Sequence, residues 1–292
     1  MAAQKSANFE AQLKRNPHPD FKQVEASRPP FPTDTTFDYV QTPDPTWTFG
    51  SGANHPAPSP TPTHRPIDPH APSRPPHLNY KLLISSIIPR PIALLSTASA
   101  AGAPNLAPFS YFQMIGHDPP LFVLSFAASL AAPKDSLANL AATGDCIINM
   151  ISSDYLEAAN ACSVNAPPGV SEWDVSGLTP VFDGGRRVAR VGEAVFSIEG
   201  RVESIREFGS RARPGEVGAT MVVVEGTRFW AREDAVDEEG GKVDPGVMKA
   251  VGRLGGISYG TVTQGVELPR PDFVKDVGGV EGVERLKKKG GE

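Results

Sequence analysis

Four segments between Pro89 and Ser136 decide the reading of this chain: Pro89-Arg90-Pro91-Ile92-Ala93-Leu94-Leu95-Ser96-Thr97, Asn105-Leu106-Ala107-Pro108-Phe109-Ser110-Tyr111-Phe112, His117-Asp118-Pro119-Pro120-Leu121-Phe122-Val123-Leu124-Ser125-Phe126, and Pro133-Lys134-Asp135-Ser136. The first three are apolar runs of strand length bounded by proline and small residues. Ala100-Ala101-Gly102-Ala103-Pro104 is a turn, so the first run and the strand Asn105 to Phe112 form a hairpin. The unbroken apolarity of Leu121 to Phe126 predicts a strand buried on both faces. In the fourth segment Asp135 or Ser136 serves as an N-cap, Leu137 and Leu140 share a helix face, and Gly144 ends the helix.

Further along, Cys146 to Ile151 reads as a strand and Ser152-Ser153-Asp154 as the cap of a short helix ending near Asn160. Phe196, Ile198, Gly200 and Val202 alternate with Ser197, Glu199, Arg201 and Glu203, the period of a half-buried antiparallel strand, and Val222 to Trp230 is its expected neighbour. Many short strands with few helices favour a mainly β barrel over a doubly wound sheet, which needs a helix after almost every strand.

Composition sets the limits. The chain has 292 residues, 39% hydrophobic and 21% charged, with a net charge of -5. About half of its 30 prolines fall before residue 78. Residues 53–76 can form neither a helix nor an inner strand, because proline lacks the amide donor and fixes φ. The folded domain is therefore expected from Leu78, after a largely extended arm over residues 1–77. The negative charge argues against a nucleic-acid partner, and Lys287-Lys288-Lys289 reads as part of a solvated tail. No apolar stretch approaches the roughly 20 residues needed to span a bilayer, and the N-terminus lacks the apolar middle of a secretory signal. Cys146 and Cys162 read as free thiols, which suits the cytoplasm. Of the six histidines only His117 lies beyond the arm, so no metal site is expected.

Small polar side chains delivered by consecutive strands to the start of a helix suit an extended phosphorylated cofactor. The helix start at Ser136 offers amide donors and a partial positive charge, to which Ser136 adds a hydroxyl and Lys134 a full charge. Ser96, Thr97, Ser110, Ser125 and Asn105 could converge on a polar chain and a flat ring. Any one of them serves a turn as readily as a ligand, and the constellation is more specific than its members. No dinucleotide-binding glycine fingerprint, Walker motif or nucleophile elbow competes. The needs of flavin mononucleotide (FMN) match this set best.

The same residues resemble the flavin-reductase-like, FMN-binding split β-barrel family, in the branch of nitrilotriacetate monooxygenase component B and flavoredoxin and, by its proline-rich arm, its longer fungal members. The likeness rests on Pro89-Arg90-Pro91-Ile92-Ala93 with Ser96-Thr97, Asn105 to Ser110, Asp118-Pro119-Pro120, Lys134-Asp135-Ser136, and Arg253-Leu254-Gly255-Gly256 with Tyr259, across residues 78–273, leaving 274–292 as a charged tail. It implies FMN at a homodimer interface, the phosphate on Lys134, Ser136 and Arg90 beside Asp135, and ribityl and ring contacts from Thr97, Asn105, Ala107, Pro108, Ser110 and Ser125. Arg253 and Tyr259 are placed near the site. Ser136 stands where threonine is common, and Phe196 to Glu199 with Phe229-Trp230 replace segments that often carry a cysteine and a histidine.

The activity so implied is hydride transfer from NADH or NADPH to flavin N5, with electrons passed to free flavin, an oxygenase partner or another acceptor. That chemistry needs no strong protein acid or base, so no catalytic side chain is assigned. An FMN-binding electron carrier or store, an FMN-dependent oxygenase and a flavin-free interaction module are the alternatives.

Overall fold

The computed structural model describes residues 16–34, 36–54, 63–167 and 169–289. The first 15 residues, part of the proline-rich stretch and Pro168 of the Pro167-Pro168-Gly169 loop lie outside the described residues. The chain divides into two compact units, Met1–Asp34 with Pro69–Val262 and Thr35–Asp68 with Thr263–Glu292. The residues expected as a separate arm are thus shared between the two.

The larger unit is built on seven antiparallel strands: β1 (Ala93–Ala98), β2 (Pro104–Phe109), β3 (Phe112–His117), β4 (Pro120–Phe126), β5 (Asp145–Met150), β6 (Phe196–Gly209) and β7 (Val217–Ala231). Their order across the sheet is β2-β1-β5-β6-β7-β4-β3. The expected first hairpin is present, with Ala98 opposite Pro104 and Ala93 opposite Phe109. Its turn is closed by Ser99 N–H to the Ala103 carbonyl at 2.9 Å, with Gly102 at φ 88°, where a side chain would strain the backbone.

β2 and β3 lie at opposite edges of this sheet, yet only Ser110 and Tyr111 separate them in sequence. At about 3.5 Å per residue, two residues can join the edges only if the sheet curls until they approach. Phe109 and Phe126, from strands far apart in the sheet order, accordingly meet edge to face at 4.8 Å. The edges do not pair along their length, so the barrel is split.

The inner wall packs Leu95, Phe122, Leu124, Phe126, Ile148, Val222 and Val224 into one cluster that also takes in Leu137 and Leu140. These two leucines anchor the helix Asp135–Thr143 across the barrel, each stabilising by roughly 1.5–3 kcal/mol through burial. Leu94, Leu106 and Val191 face the other way and are covered by Tyr155 and Trp173 from short helical segments.

Three expectations are corrected. In β4 only alternate residues are fully buried, and Leu121, Val123 and Ser125 on the outer face are half-buried, because that face is only partly covered. In β6 Ser197 and Glu199 are buried along with Ile198 and Gly200, because residues on the outer face cover that stretch: Ser197 donates to Asn149 Oδ1 at 2.8 Å, and Glu199 takes Trp230 Nε1 at 2.8 Å and Arg186 at 2.8 Å. The second strand, expected to run on to Phe112, ends at Phe109, and Phe112–His117 is a strand in its own right.

In the smaller unit, strands Asp38–Tyr39 and Gln264–Gly265 pair in parallel, and Phe37 meets Tyr39 edge to face at 5.2 Å. Within the segment expected as a charged tail, Gly279–Lys289 is helical. Gly282 lies so close to the Val277 carbonyl that any Cβ would clash, which explains a glycine where helix propensity disfavours one.

Candidate functional site

The helix Asp135–Thr143 begins at Lys134, one residue before the expected caps, and no side chain caps it. The amides of its first turn have no intrahelical acceptor; the first helical bond runs from Ala138 N–H to the Lys134 carbonyl at 2.9 Å. At the other end Gly144 adopts φ 74° and donates to Leu140, the expected stop.

Behind that uncapped start lies a buried polar cluster. Asn105 Nδ2 donates to Ser136 Oγ at 2.9 Å and to Thr97 Oγ1 at 3.3 Å. Asn139 Nδ2 donates to the same Thr97 oxygen at 3.0 Å. All four residues are buried. All four follow from the strand and helix periods: Thr97 and Asn105 are register partners, and Ser136 and Asn139, three apart, share a helix face. Asn139 was absent from the sequence reading, although its spacing from Ser136 was the signal. Both hydroxyl oxygens act as acceptors here, so each retains its own proton to donate elsewhere. Lys134 and Asp135 are exposed at the mouth of this cluster.

A second group sits past the other end of β2. The Arg90 guanidinium, 8% exposed, donates to the carbonyls of Ile84, Ile87 at 2.8 Å and Leu254 at 2.9 Å, and to Ser110 Oγ at 3.5 Å. Burial lowers its pKa from the ordinary arginine value, and Arg253 adds to the shift while Tyr111 opposes it. Arg90 and Arg253 exchange backbone hydrogen bonds. Arg253 in turn lies over the Tyr259 ring at 4.3 Å and donates to the Gly256 carbonyl at 2.7 Å; its Nη1 is buried without a hydrogen-bond partner among the described residues. Tyr259 donates to Asn160 Oδ1 at 2.9 Å, and burial raises its pKa.

Between the two groups runs β2, an edge strand. Leu106 N–H turns outward and is taken by the buried Glu172 carboxylate at 3.2 Å. Pro104 and Pro108, two residues to either side, share that outward direction and have no N–H to leave unpaired. Ala107, Pro108 and Ser110 are half-buried along this edge.

The structure therefore brings together Thr97, Asn105 and Ser136 with Lys134 and Asp135 at one end, and Arg90, Ser110, Arg253 and Tyr259 at the other. Ser96 is not part of either: it is buried but alternates with Thr97 and so faces the outer layer. Ser125 likewise turns outward, since its neighbours Leu124 and Phe126 point into the barrel, and its amide bonds the Tyr111 carbonyl at 2.9 Å.

A curled, split sheet with a buried polar cluster at the start of the helix that spans it defines a class of small cofactor-binding barrels. The flavin reductase like domain family matches residues 85–249, and the chain belongs to that family. An uncharacterized protein of Halalkalibacterium halodurans, BH2278, is 31% identical over 66% of this chain and 91% of its own length. Among solved structures, nitrilotriacetate monooxygenase component B from Bacillus cereus superposes with a TM-score of 0.66 at 28% identity, covering 71% of this chain and all of its own. Pseudomonas fluorescens 2-nitrobenzoate 2-nitroreductase NbaA gives 0.62 at 29% identity, covering 72% and 98%.

Proposed function

We propose that this protein is an FMN-dependent oxidoreductase that accepts hydride from NADH or NADPH, and that it works as a homodimer. The observation that carries the reading is the convergence of Thr97, Asn105 and Ser136 at an uncapped helix start beside Lys134. The residues fit the group: first-turn amides without a side-chain cap among the described residues, a lysine and a hydroxyl with a proton to give are the donors a dianionic phosphate requires. Asn105 and Phe109 stand about 13 Å apart along β2 at roughly 3.3 Å per residue, with Ser110 just beyond, which suits the two ends of an extended phosphorylated flavin.

In this reading Lys134 and Ser136 hold the phosphate, and Asn105 fixes the Ser136 hydroxyl so that its proton points outward. The half-buried edge of Ala107, Pro108 and Ser110 supports the ribityl chain and ring. Arg90 acts through Ser110 and the carbonyls it ties together, not by reaching the phosphate. A bound flavin supplies the two-electron acceptor, and the chain's contribution is to bind it and keep one ring face open to the nicotinamide.

Support for a dimer comes from exposed apolar residues: Leu78, Leu82 and Leu83 on the helix Pro76–Ser86, Ile87 and Ile88 just past it, and Met114 and Ile115 on β3. Exposed apolar runs of this kind mark association faces.

The test is the absorbance spectrum of the purified full-length chain, before and after soaking with FMN, followed by anaerobic NADH and then NADPH. Flavin bands that bleach within seconds of adding a nicotinamide are the expected result. Failure to bind FMN refutes the reading, and bound FMN that neither nucleotide reduces refutes its oxidoreductase half. Light scattering of the same sample reports the dimer.

A further inference from the structure

The larger unit also carries a groove, with a volume of about 770 Å³, between the segment Pro69–Asn79 and the tip of the hairpin joining β6 to β7. That volume lies within the range of small-molecule sites, roughly 300–1,000 Å³. Its chemistry is set by three features. Arg74 lines it, held in place because its Nε donates to Asn79 Oδ1 while Asn79 Nδ2 donates to the Pro69 carbonyl at 2.7 Å; no carboxylate pairs with it among the described residues. Arg211 lines the opposite wall, exposed and without an ion pair among the described residues. The helix Pro76–Ser86 starts at the groove, with Pro76 and Asn79 in its lining, no side-chain cap and no acidic residue in its first turn, so its positive dipole end is not neutralised.

Beside these charges lies an exposed aromatic ring. Phe208 lines the groove at 41% exposure, and Arg206 covers it at 4.8 Å from the ring centroid. The nearby acids are already engaged: Glu207 accepts from Leu130 N–H at 2.6 Å, and Glu216 pairs with Arg213 at 3.1 Å. Gly209 on the same wall has open space where a side chain would stand, so a ligand can reach the backbone. Two guanidinium groups and a helix start next to a flat apolar ring form a receptor for a phosphate joined to a planar base.

The geometry points to this groove as the seat of the adenylate half of the nicotinamide donor, with the phosphate on Arg74 and Arg211 and the base against Phe208. Position agrees with that role. The hairpin is tied by Glu207 to Leu130, and by Thr220 Oγ1 to the Ala128 carbonyl at 2.6 Å. Both partners belong to the loop that leads into Lys134 and the flavin phosphate end. The inference rests on the proposed reductase reading, and its test separates the two.

The probes are AMP, binding to the FMN-loaded full-length chain by calorimetry, and the steady-state kinetics of NADH, NADPH and reduced nicotinamide mononucleotide, which lacks the adenylate. The variants are Arg211→Gln, which breaks no hydrogen bond or ion pair among the described residues, and Arg74→Gln. Loss of a charge-assisted phosphate contact is expected to weaken AMP binding and raise the KM of the preferred dinucleotide roughly tenfold or more, with kcat, FMN affinity and the mononucleotide's KM unchanged. Weaker binding of FAD but not FMN in the variants would assign the groove to the adenylate of FAD and overturn the donor assignment. AMP that fails to bind, or binds both variants as it binds the parent, also overturns it, while NADH oxidation by the parent protein leaves the reductase reading standing. Arginine-dependent AMP binding in a protein that oxidises neither dinucleotide refutes the reductase reading, and with it the donor assignment.

Discussion

Asn105 ties the start of the helix Asp135–Thr143 to β1 and β2, where the proposed phosphate site lies, and two replacements separate its structural role from its electrostatic one. Asn105→Ala removes the donors to Ser136 Oγ and Thr97 Oγ1, each net worth roughly 0.5–1.5 kcal/mol, so the loss of stability is about 2 kcal/mol. Asn105→Asp keeps the shape and offers acceptors to the two hydroxyls, but it places a carboxylate 2.9 Å from Ser136 Oγ. Any anion hydrogen-bonded to that hydroxyl is then within about 6 Å of the new charge. At an effective dielectric constant of about 20, the repulsion is just under 3 kcal/mol, or roughly a hundredfold in affinity. Urea unfolding gives the first quantity and FMN fluorescence quenching the second. FMN is expected to bind Asn105→Ala several-fold more weakly than the parent and Asn105→Asp far more weakly still. If Asn105→Ala unfolds within about 0.5 kcal/mol of the parent, the cluster does not hold the helix start. If FMN binds Asn105→Asp as well as Asn105→Ala, the phosphate is not at Ser136.

Arg90→Met retains the apolar stem but strands the carbonyls of Ile84, Ile87 and Leu254, so urea unfolding should show a loss of about 3 kcal/mol; an unchanged midpoint would contradict the tie. Arg90→Lys should recover only part of that loss, since an ammonium cannot reproduce the fork. Cys146 and Cys162 are both buried, and burial pushes the Cys146 thiol up to about 12, with Asp145 adding to the shift. A thiol is nucleophilic only as thiolate, so neither cysteine should react with a disulfide reagent at neutral pH until the protein is unfolded, and rapid native labelling would show that the barrel opens.

Features set by local chemistry could be read from the sequence. The hairpin of β1 and β2 followed from its Gly102 turn, the helix stop from Gly144, and the pairing of β6 with β7 from their patterns. So did the approach of Thr97, Asn105 and Ser136. Other features depend on which elements meet. Phe112–His117 escaped detection because an edge strand facing solvent with Met114 and Ile115 loses the apolar alternation that marks a strand. That Arg90 ties three carbonyls together could not be read either, because a lone arginine beside a strand gives no sign of what will surround it.

Alone, the sequence determined the mainly β class, the helix that carries the polar cluster and the family whose pattern these residues share. Only the tertiary structure decided that the sheet curls through Ser110 and Tyr111 without closing, that Thr97 faces the interior while Ser96 faces away, and that Arg74 and Arg211 line one groove. The physical reason is the same in each case. A period of two or 3.6 residues sorts side chains onto faces, but which face is inside, and what charge lies across a groove, depends on chain segments far apart in sequence.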